Sequence, residues 1–466
     1  MEKTQTQSTA EREQLGSRLG FLLLSAGCAI GIGNVWKFPY IAGQYGGGIF
    51  VLIYLLFLVI LGIPVLTIEF TLGRASQKSP MLLYQQLEKP KQKWHLHGYA
   101  SFVGSYLLMM FYTVITALML LYLKSTVFGE LDGLNSMQIA QFADTTKQGF
   151  IGVGVATAVV IFLGFLVCGF GVKKGLERVT KVMMTILLFL MLGIAIYCCT
   201  MDGAMDGLKF YLIPDVEKMK QVGLGNVIVA AMNQAFFTLS LGIGSMAIFG
   251  SYIGKDRALL GEAVSVACLD TSVALTSGFI IFPACFAFNG GKTTSGPDLI
   301  FETLPMIFNN MPGGRIIGSF FFLFMFFAAF STVLGVFELI VAGASEKFGW
   351  SRKKSCIING ICMLILATPC IIGFALPDWS ILGKDIMGWE DFIVSNILLP
   401  LGSLTFLLFC VLKQGIGWGW KNFVNEANLG KGLKVKNWMR YYMTFVLPII
   451  IFAIFVVGIL QSFGII

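Results

Sequence analysis

A series of apolar segments, each long enough to cross a lipid bilayer, limits how this chain can fold more than any other feature. A helix needs about 20 apolar residues to span the hydrocarbon core, where its backbone groups must bond within the segment. The sequence therefore predicts an all-α membrane protein with eleven transmembrane helices. The eleven runs lie near residues 19–43, 48–72, 99–123, 150–170, 178–200, 224–250, 260–288, 315–345, 355–375, 391–412 and 440–463.

Composition supports a single membrane domain. Only 12% of the 466 residues are charged, compared with about 25% in soluble domains. The polar stretches are too short to fold alone, so we predict a cytoplasmic tail over 1–18 and one domain over 19–466. Ten cysteines lie mostly in apolar runs, and His95 and His97 are the only histidines. This pattern argues against a zinc or haem site, and no cleavable signal peptide is predicted.

The distribution of basic residues predicts the orientation. With the N-terminus inside, the tail and the inner loops hold 24 of the 33 Lys and Arg residues, and the outer loops hold 8. Cytoplasmic loops carry the excess of positive charge. We therefore expect a cytoplasmic N-terminus and an external C-terminus, and we assign the net charge of +8 to this asymmetry and not to nucleic-acid binding.

Two of the apolar runs contain helix-breaking patterns. Gly31-Ile-Gly-Asn34 interrupts the first run and Gly242-Ile-Gly-Ser245 interrupts the sixth. Glycine costs about 1 kcal/mol relative to alanine inside a helix, and glycine-rich runs can alternatively form close helix-packing surfaces. Breaks at matching positions favour an inverted five-plus-five repeat, about 19–200 and 224–412, with helix 11 (440–463) outside it and a binding site at the interface.

Four ionisable residues fall inside apolar runs, where charge is costly and often functional. For Glu69 and Glu338, the sequence is equally compatible with a functional role and with structural hydrogen bonds in the bundle. Lys37 can extend to the membrane surface. Asp270 has no nearby cation in the sequence, which favours a bound cation. Hard oxygen ligands suit such an ion, and unwound helices supply carbonyl oxygens for a cation and N–H groups for an anion.

Several motifs, in this order and spacing, resemble the neurotransmitter:sodium symporter family, the LeuT-like transporters, and specifically its eleven-helix bacterial amino-acid branch. The resemblance runs from about Arg12 to the end of the chain. The motifs are Gly33-Asn-Val-Trp-Lys-Phe-Pro-Tyr40, Tyr45-Gly-Gly-Gly48, Gly62-Ile-Pro-Val-Leu-Thr-Ile-Glu69, Gly73-Arg74 and Phe236-Phe-Thr-Leu-Ser-Leu-Gly-Ile-Gly244.

The resemblance implies two sodium sites, a substrate site and two gates. The first sodium site maps onto Ala29, Asn34, Thr238 and Asp270, and the second onto Gly27, Ile30, Ala328, Ser331 and Thr332. The implied gates are Lys37 with Asp391 outside and Arg12 with Glu346 inside, near Tyr252, and Glu69 is the implied structural carboxylate. The implied substrate site comprises Ala29, Gly31, Ile32, Gly33, Leu108, Tyr112, Phe237, Thr238, Ser240, Ile243, Thr332 and Val336.

Three departures within the family pattern refine the expectation. Gly31 stands where amine-transporting members carry an aspartate, which favours an amino acid that brings its own carboxylate. Chloride-dependent members carry a serine at the position of Ala274, and Asp270 can supply the negative charge instead. Lys37 replaces the usual gate arginine, and lysine cannot make the same forked contact with a carboxylate.

These features together predict a sodium-coupled, chloride-independent symporter. It imports neutral, hydrophobic L-amino acids by alternating access across a bacterial plasma membrane. Its partners are the amino acid, two sodium ions and the lipid bilayer. One alternative is a carrier of the same fold coupled to protons through Asp270 or Glu69, and another is a non-transporting amino-acid sensor. No nucleophile–base or metal constellation predicts an enzyme.

Overall fold

The computed structural model describes residues 12–290, 298–376, 380 and 383–463. Residues 1–11 of the predicted tail, part of the outer loop 289–315, part of the loop 376–390 and the last three residues lie outside these ranges. The described chain is helical throughout, and its few β-bridges are isolated pairs.

The helices of the first half include both parts of the first apolar run. They are α1 (Arg18–Ala29), α2 (Gly33–Gln44), α3 (Gly48–Ser76), α4 (Pro80–Leu87), α5 (His95–Val127), α6 (Ser136–Gln148), α7 (Phe150–Gly169), α8 (Val172–Cys199), α9 (Ala204–Leu212) and α10 (Val216–Val222).

The helices of the second half begin with the two parts of the sixth run. They are α11 (Leu224–Thr238), α12 (Ser245–Gly250), α13 (Leu259–Asn289), α14 (Leu304–Asn310), α15 (Gly314–Phe348), α16 (Arg352–Ala375), α17 (Ile386–Val411), α18 (Trp420–Ala427) and α19 (Met439–Ser462).

The all-α fold of a multi-pass membrane protein is confirmed. Nine described helices are long and apolar enough to cross a membrane, and the bent pair α1–α2 makes a tenth span. The sixth run forms the 15-residue helix α11 and the six-residue helix α12, so the count of eleven remains a prediction. The boundaries of the domain and of its repeats also remain predictions.

Some helices extend beyond the apolar runs that predicted them. The third, fifth and tenth begin at His95, Val172 and Ile386 instead of near 99, 178 and 391. A helix need not end where the hydrocarbon core ends, because water can solvate polar side chains on its outer turns. The predicted short helix in the outer loop 289–315 is present as a turn over Leu299–Thr303 that continues into α14.

Helix α15 lies at the centre of the bundle and packs along α5, α1, α8 and α7. In its most apolar stretch 78% of residues are buried inside the protein, whereas only 28% are buried in α19. The central position of α15 brings the Ser331–Thr332 pair against the break in the first run.

Wide π-helical turns shape several helices, and five of those in the described chain are followed by a proline after one intervening residue. One covers Gly33–Lys37 ahead of Pro39, and another covers Ile393–Leu398 ahead of Pro400. Proline has no N–H to donate to a carbonyl of the preceding turn. The residue before the proline donates its N–H to the carbonyl five positions earlier, as Phe38 does to Gly33. Both turns carry residues that line the cavity described below.

Candidate functional site

The first helix break separates α1 from α2 by a bend of 62°. α1 ends at Ile30, which has an extended conformation with ψ 98°. Beyond the break, the N–H of Ile32 donates to the hydroxyl of Tyr112 on α5 at 3.1 Å. A Cβ at Gly31 would collide with that hydroxyl and lie 3.0 Å from Oγ1 of Thr332. Glycine at position 31 therefore leaves room for the tyrosine hydroxyl beside the backbone N–H of Ile32.

The second break, between α11 and α12, depends on residues with positive φ. Ser240, Gly242 and Gly244 have φ of 50°, 94° and 87°. A Cβ at Gly242 would lie 2.8 Å from the backbone carbon of Leu399, so this turn packs directly on α17. Glycine reaches positive φ without the steric cost of a side chain.

Glu69 of α3 holds this second break. Its carboxylate is fully buried, and Oε1 accepts a hydrogen bond from the N–H of Gly242 at 2.6 Å. An unwound segment leaves N–H groups without helical partners, and a buried orphan is costly. This contact fits the expected structural carboxylate.

Asp270 of α13 lies fully buried in a cluster of neutral donors. Nδ2 of Asn34 donates to its Oδ1 at 2.8 Å, and Oγ1 of Thr238 donates to its Oδ2 at 2.9 Å. In the described part of the chain, no Lys, Arg or His nitrogen lies within 4.0 Å of the carboxylate. The break at residue 34, α11 and α13 thus converge on one carboxyl group without a charged partner, and a buried carboxyl of this kind either holds a proton or binds a cation.

A second group of oxygens forms where α15 meets the end of α1. Oγ of Ser331 lies 2.6 Å from the carbonyl oxygen of Gly27 and 2.9 Å from that of Ala328. Oγ1 of Thr332 lies 3.4 Å from the carbonyl oxygens of both Ile30 and Ala328. The two hydroxyl groups therefore link all five residues of the expected second sodium site, and hydroxyl and carbonyl oxygens are the hard ligands that sodium prefers.

A cavity of about 310 Å³ occupies the space between the two breaks. Its wall includes eleven of the twelve expected substrate-site residues; the exception is Val336 of α15, which is buried without lining the cavity. Val336 is therefore not a wall residue in this structure. Further wall residues that the sequence reasoning missed are Trp36, Tyr40, Ile41, Phe111, Ile115, Met387, Gly388, Val394 and Leu399.

Helical spacing could have identified part of this missed set. Phe111 and Ile115 lie within one turn of Leu108 and Tyr112, and Tyr40 and Ile41 lie one turn beyond Lys37. Pro400 signals the wide turn in α17, but no local pattern places Val394 and Leu399 at the cavity, because their approach depends on the packing of α17 on Gly242.

The expected outer gate residues share the cavity but do not form an ion pair. Nζ of Lys37 lies 3.8 Å from the ring centroid of Phe237. Asp391 accepts a hydrogen bond from Oγ of Ser395 at 2.7 Å, and no Lys37 contact within 4.0 Å is present among the described ion pairs. The ammonium group therefore lies over the aromatic face, a favourable cation–π arrangement.

The expected inner gate residues are in direct contact. Arg12 forms a salt bridge with Glu346 and lies 4.6 Å over the ring of Tyr252. Glu346 also accepts from the N–H of Ser79 at 2.9 Å and from its hydroxyl at 2.8 Å. Burial alone would lower the pKa of Arg12, but Tyr252 and Glu346 outweigh it and raise that pKa. The expected inner gate is thus a salt bridge between Arg12 and Glu346, supported by the Ser79 hydrogen bonds.

Glu338, the last of the four ionisable residues predicted inside apolar runs, has structural partners. It accepts a hydrogen bond from the hydroxyl of Tyr252 at 2.6 Å and forms a salt bridge with Arg352. The structural interpretation therefore suffices for this residue, which extends the inner network from Tyr252 to the start of α16.

Comparisons with known proteins agree with this geometry. The model of the Sodium:neurotransmitter symporter family matches residues 12–138 and 135–464. An uncharacterized sodium-dependent transporter, YhdH, of Bacillus subtilis (strain 168) is 36% identical over 96% of this chain and 98% of its own length. An uncharacterized sodium-dependent transporter of Haemophilus influenzae is 30% identical over 97% of this chain and 99% of its own length.

A solved structure is also similar. The crystal structure of MhsT in complex with L-phenylalanine aligns with a TM-score of 0.84 and 36% sequence identity, covering 96% of this chain and 100% of that one. Fold and sequence thus agree over nearly the whole chain, and the expected resemblance is confirmed. The chain belongs to the sodium:neurotransmitter symporter family and has its LeuT-type fold.

Proposed function

We propose that this protein is a sodium-coupled, chloride-independent symporter that imports neutral, hydrophobic L-amino acids. The observation that carries the proposal is the fully buried Asp270 carboxylate beside a cavity between two helix breaks. Within the described residues, its side-chain hydrogen-bond donors are neutral. A sodium ion bound there would neutralise the carboxylate and contact a substrate carboxylate in the same cavity. The sodium-dependent relatives support the choice of ion.

The cavity wall favours an amino acid with a neutral side chain. The N–H groups at the start of α2 and the hydroxyl of Tyr112 can hold a carboxylate, because a helix N-terminus favours an anion. Gly31 offers no counter-charge for a free amine. Leu108, Phe111 and Ile243 make the side-chain end apolar. Phe237 lies over the pocket on the outer side, and the MhsT structure contains L-phenylalanine in the same fold.

Ion coupling follows from the shared contacts. A ligand shifts a conformational equilibrium only by its differential affinity for the two states. Sodium at the Ser331–Thr332 group would bridge α1 to α15, and sodium beside Asp270 would bridge Asn34 to α13. Both ions would thus favour the conformation in which the broken helix is docked, and release would follow when the Arg12–Glu346 pair separates on the cytoplasmic side.

Chloride independence rests on the charge of Asp270. One negative charge beside the first sodium site suffices to balance that ion, and the carboxylate supplies it without an external anion. We place the protein in the plasma membrane of a bacterium, with the N-terminus in the cytoplasm and the C-terminus outside, on the asymmetry of Lys and Arg residues.

Uptake into proteoliposomes tests the proposal. Radiolabelled L-phenylalanine is offered under a sodium gradient, a proton gradient or both, with chloride or gluconate outside, and the twenty amino acids compete in turn. We expect saturable, electrogenic uptake that requires sodium, is unaffected by gluconate and is inhibited by hydrophobic amino acids. Uptake driven by protons alone would favour the proton-coupled alternative, and sodium-dependent binding without uptake would favour a sensor.

A further inference from the structure

A groove on the periphery of the helix bundle lies apart from the transport site. It has a volume of about 460 Å³ and lies between the end of α7 and the beginning of α16. Lys353 is the one charged residue of its wall. The other wall residues are Ile161, Phe162, Phe165, Leu166, Gly169, Phe170, Cys356, Ile357, Gly360, Ile361 and Leu364.

The length of the groove matches one leaflet of a bilayer. Its wall runs from 161 to 170 on α7 and from 353 to 364 on α16, which at 1.5 Å per residue corresponds to about 14 Å and about 17 Å. Half of the hydrocarbon core is about 15 Å thick. Both stretches meet the same membrane surface, the predicted cytoplasmic one, so the groove spans the leaflet that faces it.

Two glycines keep the groove open. At Gly360 an added Cβ would meet only the ring of Phe165, at 3.4 Å, and at Gly169 it would meet only the sulfur of Cys356, at 4.0 Å. Side chains of ordinary size at these positions would project into the groove. The space is therefore a consequence of small residues on both helices, and its shape suits a flexible linear apolar chain.

The charge at the open end points to an anion. Lys353 is exposed and, in the described chain, forms neither a salt bridge nor a hydrogen bond through its ammonium group. Its neighbour Arg352 is held by Glu338. Lys173 and Lys174, just beyond α7, are also exposed, and the nearby Glu13 carboxylate accepts from the backbone N–H of Lys173. Basic side chains thus outnumber acidic ones at this surface.

We propose that the groove binds one acyl chain of an anionic diacyl phospholipid, with the lipid phosphate at Lys353. The apolar wall matches the acyl chain, the length matches the leaflet, and the unpaired ammonium group matches the phosphate. The lipid would also lie against Phe165, whose ring stacks on Phe337 of α15 at 4.0 Å. The site is independent of the substrate and of the coupling ion.

Native mass spectrometry of the full-length protein tests the site. The protein is released from micelles that contain equal amounts of phosphatidylglycerol and phosphatidylcholine, and retained lipids are counted. We expect the wild type to retain one phosphatidylglycerol in preference. Lys353→Gln should weaken that retention about fivefold, the factor for the roughly 1 kcal/mol that one lysine contributes near an anionic surface. Gly360→Leu should reduce retention of both lipids by filling the groove.

Matched controls separate the groove from the general surface. Lys354→Gln changes the adjacent exposed lysine, which lies 5.4 Å from the Trp350 ring and outside the groove wall. Gly193→Leu adds the same side chain at an open position of α8. Both should retain lipid as the wild type does. Equal retention of the two lipids by the wild type would overturn the proposal, as would equal losses in Lys353→Gln and Lys354→Gln. A dimer that Gly360→Leu dissociates would assign the groove to a second copy instead.

Discussion

Replacing Asp270 with asparagine tests the charge at the centre of the proposed sodium site. The change preserves the size of the side chain and removes its negative charge. In the structure, two donors, Asn34 and Thr238, each use a separate carboxylate oxygen at 2.8 and 2.9 Å. An asparagine side chain has a single acceptor oxygen, so one donor would also lose its partner. We expect the variant to fold and to bind sodium much more weakly than the wild type.

The magnitude follows from the lost attraction. Two unit charges about 4 Å apart interact by about 4 kcal/mol at an effective dielectric constant of about 20. Since 1.4 kcal/mol corresponds to a factor of ten, the sodium affinity of Asp270→Asn should fall by roughly three orders of magnitude if no other anion replaces the charge. Adding chloride should restore part of the affinity only in the variant.

Scintillation-proximity binding of labelled substrate at increasing sodium concentrations measures this effect. The matched control is Ser272→Ala, which alters an exposed side chain of the same helix. Its sodium dependence should equal that of the wild type. A half-saturating sodium concentration in Asp270→Asn within about twofold of the wild type would refute the reasoning, because a twofold change is only about 0.4 kcal/mol.

Three further substitutions test the remaining contacts. Tyr112→Phe should raise the KM for substrate by about ten- to a hundredfold, since a hydrogen bond to a charged group contributes about 1.5–3 kcal/mol, while half-saturation by sodium changes little. Glu69→Ala should lower the thermal unfolding temperature, because it leaves the buried N–H of Gly242 unpaired at a cost of about 1–3 kcal/mol. Arg12→Gln should separate the pair with Glu346 and speed hydrogen exchange in the first turns of α1, measured by mass spectrometry.

Each of these changes has a control within the chain. Tyr197→Phe removes a tyrosine hydroxyl that bonds to a loop carbonyl outside the cavity, and Arg18→Gln removes a half-exposed arginine from its bridge to Glu262. Glu69→Gln retains an acceptor for the N–H group and should unfold near the wild-type temperature. An unchanged KM in Tyr112→Phe, equal unfolding temperatures for both Glu69 variants, or equal exchange in both arginine variants would contradict the respective assignment.

The sequence was sufficient for the membrane class and for the two helix breaks. Hydropathy is a property of each segment by itself. An apolar run therefore predicts a spanning helix whatever the neighbouring segments are. The glycines near residues 31 and 242 likewise predict local unwinding from their own conformational preference. The expected groupings of oxygen ligands came from the resemblance to a family, and no local pattern would have joined Ser331 to the end of α1.

Only the tertiary structure specified which side chains meet. Val336 does not line the cavity, Leu399 does, and Lys37 lies over Phe237 without an ion pair to Asp391. Such outcomes depend on how each helix is rotated about its own axis, and that rotation is set by contacts with segments far away in the chain. The sequence by itself therefore determined that the first and sixth helices break, whereas the packing of α5, α13, α15 and α17 around the breaks determined what the cavity contains. Contacts between segments far apart in the chain are set by packing geometry, which local preferences do not encode.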